Sequence, residues 1–275
     1  MLSNTSTTQL AEEALHDKPL RGLPSKIKVD GVYITFGPHL PARRAAEAYL
    51  RSIGKKPVFP RVYTKLNRDR STRIAQLYEE LQPTPQDQLT VSAYSALISE
   101  TLAQWEYIKA TGLKVEFNPN GKDPYGNPRN AVLDVVNNNH LYILPTRFAF
   151  GDSEFCDNTD ANIMVTETST VIDGQVMLVN DIFRIVHDYF GHVKEGNGFR
   201  AEGEDNAYRC HAAMYSPLAR RALASDLRGQ NCWVNWGPWG EHNRKANGGD
   251  TIFAPQKMGL LPEWVAEEGV EDPLE

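Results

Sequence analysis

Cysteine is scarce in this chain: Cys156, Cys210 and Cys232 make an odd count without metal-ligand spacing. This argues against a disulfide framework and a cysteine-built zinc site, and points to a reducing cytoplasm. No stretch is long and apolar enough to span a bilayer, and Met1–Gln9 has neither a basic start nor an apolar run, so no membrane span or secretory leader is expected. Excess positive charge is lacking too. With 29 basic and 35 acidic residues the net charge is −6, which speaks against a nucleic-acid-coating protein. The sequence contains no phosphate loop, dinucleotide fingerprint, His-Glu-x-x-His run or Gly-x-Ser-x-Gly elbow, and no internal repeat.

What is present is an ordinary core supply, 41% hydrophobic residues over 275 positions. Residues 1–26 read as a polar N-terminal arm and 27–275 as a single domain. Helical spacing predicts a helix from Pro41 toward Gly54, one capped by Ser71 and stopped before Pro83, and a long scaffold helix after Thr90 that ends at Gly112. Strands are expected at Val32–Phe36, Leu113–Phe117, His140–Leu144, Ile163–Thr166 and Gln175–Leu178, with a Pro- and Gly-rich loop over 118–130 that could act as a lid. The fold class that follows is α+β, a helix-rich single domain with a small sheet and a metal site on helices of its C-terminal half. Residues 42–73 carry ten basic and two acidic groups, a solvated face or a docking patch, and the acidic tail 262–275 is solvated or docks on that stretch of a neighbour.

The chemistry concentrates in 179–231. A helix is expected from Val179, with Asn180 or Asp181 as N-cap, running into His187-Asp188-Tyr189-Phe190-Gly191-His192. Residues five apart on an ideal helix are rotated by about 140°, so His187 and His192 reach one ion only if the winding changes locally. Gly191 supplies the means, as a bulge or a left-handed cap. Alternatively Asp188 and His192, four apart, form the pair. A second helix from Gly203 carries Glu204, Tyr208 and His211 on one stripe, and the first and last of these are about 10.5 Å apart along the axis, too far to share an ion comfortably. A third helix after Ser216-Pro217 should stop at Gly229 and bring Asp226 as a rival carboxylate. Beyond it Trp233, Trp236 and Trp239, with amides, glycines and Pro238 between them, do not suit a regular helix; they could wall a pocket or plug the core.

The run His187-Asp188-Tyr189-Phe190-Gly191-His192-Val193 resembles the iron-binding motif of the pterin-dependent aromatic amino acid hydroxylases, over about a dozen residues. That resemblance implies one Fe(II) held by the two histidines and a carboxylate further along. The chain departs from that pattern with Asp188 where the family has Glu. Glu204 lies earlier than the family's carboxylate, and Asp226 stands only approximately at its distance. The wider combination with Gly203-Glu204-Asp205-Asn206-Ala207, His211 and Arg228-Gly229-Gln230-Asn231 is similar to a group of bacterial and phage-encoded proteins, a likeness that brings no activity with it.

The expectation is a mononuclear metal on His187, His192 and Glu204, with Asp188, His211 and Asp226 as candidate catalytic groups. Tyr208, Arg228, Gln230, Asn231, Trp233 and Trp236 are candidate substrate contacts. Two imidazoles and a carboxylate leave open positions on Fe(II), which suits a non-haem iron oxygenase acting on a small or aromatic substrate. Zinc with a carboxylate general base, a metallohydrolase, is the alternative. A third reading is an interaction protein of phage or bacterial type with a structural metal. No nucleic-acid or membrane partner is expected, and a homo-oligomer is left open.

Overall fold

The computed structural model describes residues 27–29, 32–34, 38–57, 63–117, 125, 128–149, 158–246 and 250–270. The N-terminal arm, Cys156, the last residues of the acidic tail and much of the expected lid lie outside these. The chain is helix-rich α+β. Among the described residues its strands form three two-stranded sheets: β1 (Ile27–Val29) with β2 (Val32–Ile34) antiparallel, β3 (Lys114–Phe117) with β4 (His140–Ile143) parallel, and β5 (Glu167–Ile172) with β6 (Gln175–Leu178) antiparallel.

Helix α1 covers Leu40–Ser52 with Pro41 in its first turn. Helix α2 (Arg68–Glu80) starts three residues before the expected Ser71, because Asn67 takes the cap by accepting the Arg70 amide at 3.0 Å. The scaffold helix α3 (Gln88–Lys109) is likewise capped earlier than expected, by Asp87 accepting the Thr90 amide at 2.9 Å. It ends where Gly112 takes φ +73, a left-handed conformation open to glycine at no steric cost. Helix α4 (Pro128–Asn138) was not anticipated in the Pro- and Gly-rich region; it puts Ala131, Val132 and Val135 into the core. After α5 (Thr146–Ala149), the expected strand at Ile163–Thr166 is instead a 3-10 turn over Ile163–Val165, capped by Asn162, and the strand begins at Glu167.

Helix α6 (Val179–His187) begins straight from β6. Its cap is not a side chain of Asn180; Asp181 reaches back to accept the Leu178 amide at 2.9 Å and both the amide and hydroxyl of Thr146 at 2.6 Å. Then come a π-helical stretch over Asp188–Val193, α7 (Ala201–Ala212), α8 (Pro217–Leu223), a second π-helical stretch over Ala224–Gly229, α9 (Gln230–Trp236), α10 (Gly240–Lys245) and α11 (Glu263–Glu267). Two expectations are corrected here. The helix does not stop at Gly229, and the tryptophan segment is helical through Trp236, breaking only at Gly237-Pro238.

Two apolar clusters meet across α3 and α6. Trp105 and Ile108 of α3 join Ile182, Ile185 and Val186 of α6, Tyr189 and Phe190 on one side; Tyr94 and Leu97 join Val179, Phe183, Tyr208, Tyr215 and Leu223 on the other. Each fully buried large side chain contributes about 1.5–3 kcal/mol, so α6 is held from both sides and its C-terminal histidine is delivered to a rigid place. The described part of the acidic tail packs on its own chain: Glu267 meets the buried Arg220 at 2.7 Å and Glu268 lies 3.7 Å from Arg70.

Candidate metal centre

The π-helical stretch resolves the spacing problem of His187 and His192. Lys194 donates to the Tyr189 carbonyl at 2.9 Å and Asn197 to that of His192 at 3.0 Å, bonds that span five residues instead of four. With the winding relaxed, the two imidazoles stand 4.9 Å apart between centroids and nearly perpendicular. Gly191 is not left-handed, contrary to one of the two options it offered. It matters because the His187 ring lies over it: a Cβ there would come within 2.8 Å of His187 Cε1 and 2.9 Å of Nδ1.

Helix α7 presents Glu204 to both rings. Its Oε2 lies 3.4 Å from His192 Nε2 and 3.9 Å from His187 Nε2, and one ligand atom from each residue falls within 4.8 Å of the others. The two histidine side chains are 8% and 1% exposed and Glu204 28%, so the carboxylate side is the open one.

The outer nitrogens of both rings are engaged. His192 Nδ1 lies 3.2 Å from the Asn197 carbonyl, which can only accept, so that nitrogen carries a proton. His187 Nδ1 lies 3.1 Å from His211 Nδ1, and His211 Nε2 lies 3.1 Å from Gln104 Oε1. His187 Nε2 is buried without a hydrogen-bond partner among the described residues. A buried lone pair left without a donor is costly unless something else occupies it.

Electrostatics bear on the same three residues. Burial works against a carboxylate at Glu204, yet the imidazoles of His192 and His187 outweigh it and hold its pKa down to about 2. Burial also disfavours a charge on His192, but Glu204 and Asp188 reverse that and raise it, whereas burial prevails at His187 and lowers it. His211 is pushed well below the usual imidazole range, first by burial and then by His187, and is neutral. The neighbouring Asp188 is half-buried, and burial raises its pKa against the pull of His192, His187 and Arg184. Phe199 stacks on His192 at 3.9 Å between centroids.

The remaining sequence candidates sit elsewhere. Asp226 accepts the Tyr94 hydroxyl at 2.7 Å, and Tyr94 precedes Gln104 by ten residues on α3, about 15 Å of helix. Arg228 donates to Asp205 at 2.9 Å and to the carbonyls of Val265 and Glu268, and it stacks over Tyr208, whose hydroxyl donates to the Ala266 carbonyl. Gln230 pairs with Gln256, Asn231 holds the Ala201 carbonyl, the buried Trp233 donates to Glu79, and Trp236 packs against the second cluster. Among the described residues, the hydrogen bonds and ring contacts of Tyr208, Arg228, Gln230, Asn231 and Trp233 thus run to one another and to Asp205, Ala201, Glu79, Gln256 and residues 265–268, and not to the histidines. The residues that sequence reasoning missed are Gln104 and Asn197. Gln104 had a signal, a polar side chain at the 97, 101, 104, 108 spacing of the buried face of α3; Asn197 acts through its backbone carbonyl and had none. Comparison of the chain with protein-family models, with curated proteins and with solved structures yields no match.

Proposed function

We propose that the chain is a metal-dependent enzyme whose His187, His192 and Glu204 hold one divalent ion, foremost Fe(II), for oxygenase chemistry on a small or aromatic substrate. The observation that carries this reading is the buried Nε2 of His187, without a hydrogen-bond partner among the described residues, lying close to His192 Nε2 and Glu204 Oε2. Two neutral imidazoles and one carboxylate are a donor set suited to Fe(II), which would supply open positions for dioxygen and substrate. Around it, Asn197 orients His192 from behind, the Phe183 ring lies parallel to His187 at 6.4 Å between centroids, and Phe199 covers His192. The half-buried Phe199 and the more exposed edge of Glu204 form the side from which a small or aromatic substrate would approach.

A zinc hydrolase is the second reading, favoured by Asp188, a half-buried carboxyl next to the histidines with no hydrogen-bond partner among the described residues. Such a group suits a general base for a metal-activated water. The test is metal analysis of protein purified without added metal, followed by the visible spectrum of the Fe(II)-loaded protein under nitric oxide. One iron per chain and a nitric oxide chromophore that His187→Ala and His192→Ala abolish are the expected result. Stoichiometric zinc would favour the hydrolase, and protein that takes up neither metal would overturn both readings.

A further inference from the structure

We propose that Gln104 and His211 are positioning residues that set the tautomer of His187, so that its Nε2 is delivered unprotonated to the metal. This rests on the reading of His187 as a ligand. The chain of contacts runs from α3 through α7 to α6. Gln104 Oε1 accepts from His211 Nε2 at 3.1 Å; with its only proton spent there, neutral His211 offers the lone pair of Nδ1 to His187 Nδ1 at 3.1 Å. His187 must then donate from Nδ1, which leaves Nε2 as a bare lone pair pointing at Glu204 and His192. The order matters, because each neutral ring has a single proton and His211 is engaged at both nitrogens, so the choice at Gln104 propagates to the site. All three side chains are buried, with Gln104 and His211 inaccessible, so bulk water does not compete with these contacts in the intact protein. His211 lies behind His187, on the nitrogen remote from Glu204, and this geometry makes it a support of the ligand and not a fourth ligand. His192 reaches the same state by a separate route, the Asn197 carbonyl. Protein ligands to metals are commonly fixed in this manner, and losing the outer partner costs about 10–100-fold in metal affinity.

The experiment uses nitrogen-15 imidazole spectra of the metal-free full chain, at a pH where the rings are neutral, together with Co(II) affinity by chelator competition. Gln104→Leu removes the acceptor, Gln104→Glu keeps it, and Thr101→Val removes a different buried hydrogen bond of the same helix, the one to the Tyr215 hydroxyl at 2.8 Å. The expected result is His187 protonated on Nδ1 in the wild type and in Gln104→Glu, a shift of that proton toward Nε2 in Gln104→Leu, and a loss of Co(II) affinity of about 10–100-fold in Gln104→Leu alone. A wild-type His187 carrying its proton on Nε2 would overturn the proposal, and would also mean that the Gln104 amide is turned the other way. Equal weakening in Thr101→Val would reduce Gln104 to a structural role. The spectra are read without metal, so they judge the relay even if the protein binds no ion; absence of Co(II) binding in a wild type with the expected tautomer would sink the metal reading and leave the relay standing.

Discussion

Two π-helical stretches of equal length, Asp188–Val193 and Ala224–Gly229, interrupt helices of this chain, and each contains a glycine pressed under a ring. In the first, the relaxed winding brings His187 and His192 to one side, and the ring over Gly191 is His187 itself. In the second, the ring over Gly229 is Tyr78, with Leu261 beside it, and the side chains it turns inward go to structural partners: Arg228 to Asp205, Asp226 to Tyr94. The same backbone device therefore serves a cluster of metal-ligand type in one place and core packing in the other. A π-turn is not itself a site; the side chains five apart on it decide. Helix α7 repeats the contrast in adjacent residues, since Glu204 faces the imidazoles while Asp205 takes Arg70, Arg209 and Arg228.

The contrast breaks most sharply between those neighbours. Asp205→Ala removes the carboxylate shared by three guanidinium groups, two of them buried, and should cost about 3–5 kcal/mol, the usual loss on breaking a buried ion pair. Glu204→Gln should fold normally and lose bound metal. Urea melts and metal content of the two variants check both halves, and an intact metal site in Glu204→Gln would remove the carboxylate from the cluster.

Alanine at each π-turn glycine comes next. Gly191→Ala should move the His187 ring and abolish metal binding at a moderate cost in stability. Gly229→Ala, whose Cβ would lie 2.7 Å from Tyr78 Cδ2 and 2.8 Å from Leu261 Cδ1, should lose about 1–3 kcal/mol by overpacking and bind metal as the wild type does. Metal loss in both variants would mean that the turns are coupled and the comparison is wrong.

The smallest effect concerns Asp226, whose pKa burial raises to about 7 despite the Tyr94 hydroxyl. A carboxyl with a folded pKa above its unfolded value holds an extra proton in the native state, so its contribution to stability declines as pH rises from the unfolded value toward about 7 and is flat beyond it. Asp226→Asn does not titrate. Its stability relative to the wild type should therefore rise between about pH 4 and pH 7 and stay constant above, with metal content unchanged. Thermal melts at several pH values read this, and a pH-independent difference would place the perturbation elsewhere.

Much of the helical framework was legible because its signals are local. Apolar spacing along α3, the Pro41 start of α1, the Ser216 cap of α8 and the left-handed Gly112 each act within a turn or two of chain. Boundaries failed where a competing cap lay a few residues upstream, at Asn67 and Asp87. Helix α4 was hidden by the Pro and Gly around it, and the tryptophan segment by a break that falls only after Trp236. The grouping of His187 with His192 was legible as a conflict, five residues on a helix that repeats at 3.6, with Gly191 as the one position able to relieve it.

By itself, then, the sequence determined that the paired histidines require a departure from regular α-helix and that a carboxylate on the next helix is within reach in chain distance. It favoured Glu204 with Asp226 as a rival, and the tertiary structure separates the two: Glu204 meets the rings while Asp205 and Asp226 are taken by arginines and a tyrosine. Only the tertiary structure decided which nitrogen of His187 is free, through Gln104, 107 residues from its partner His211. The physical reason is that a tautomer and a ligand set depend on hydrogen-bond partners in space. Those partners come from α3, α6 and α7, which the packing of two apolar clusters brings together and which no local spacing along the chain encodes.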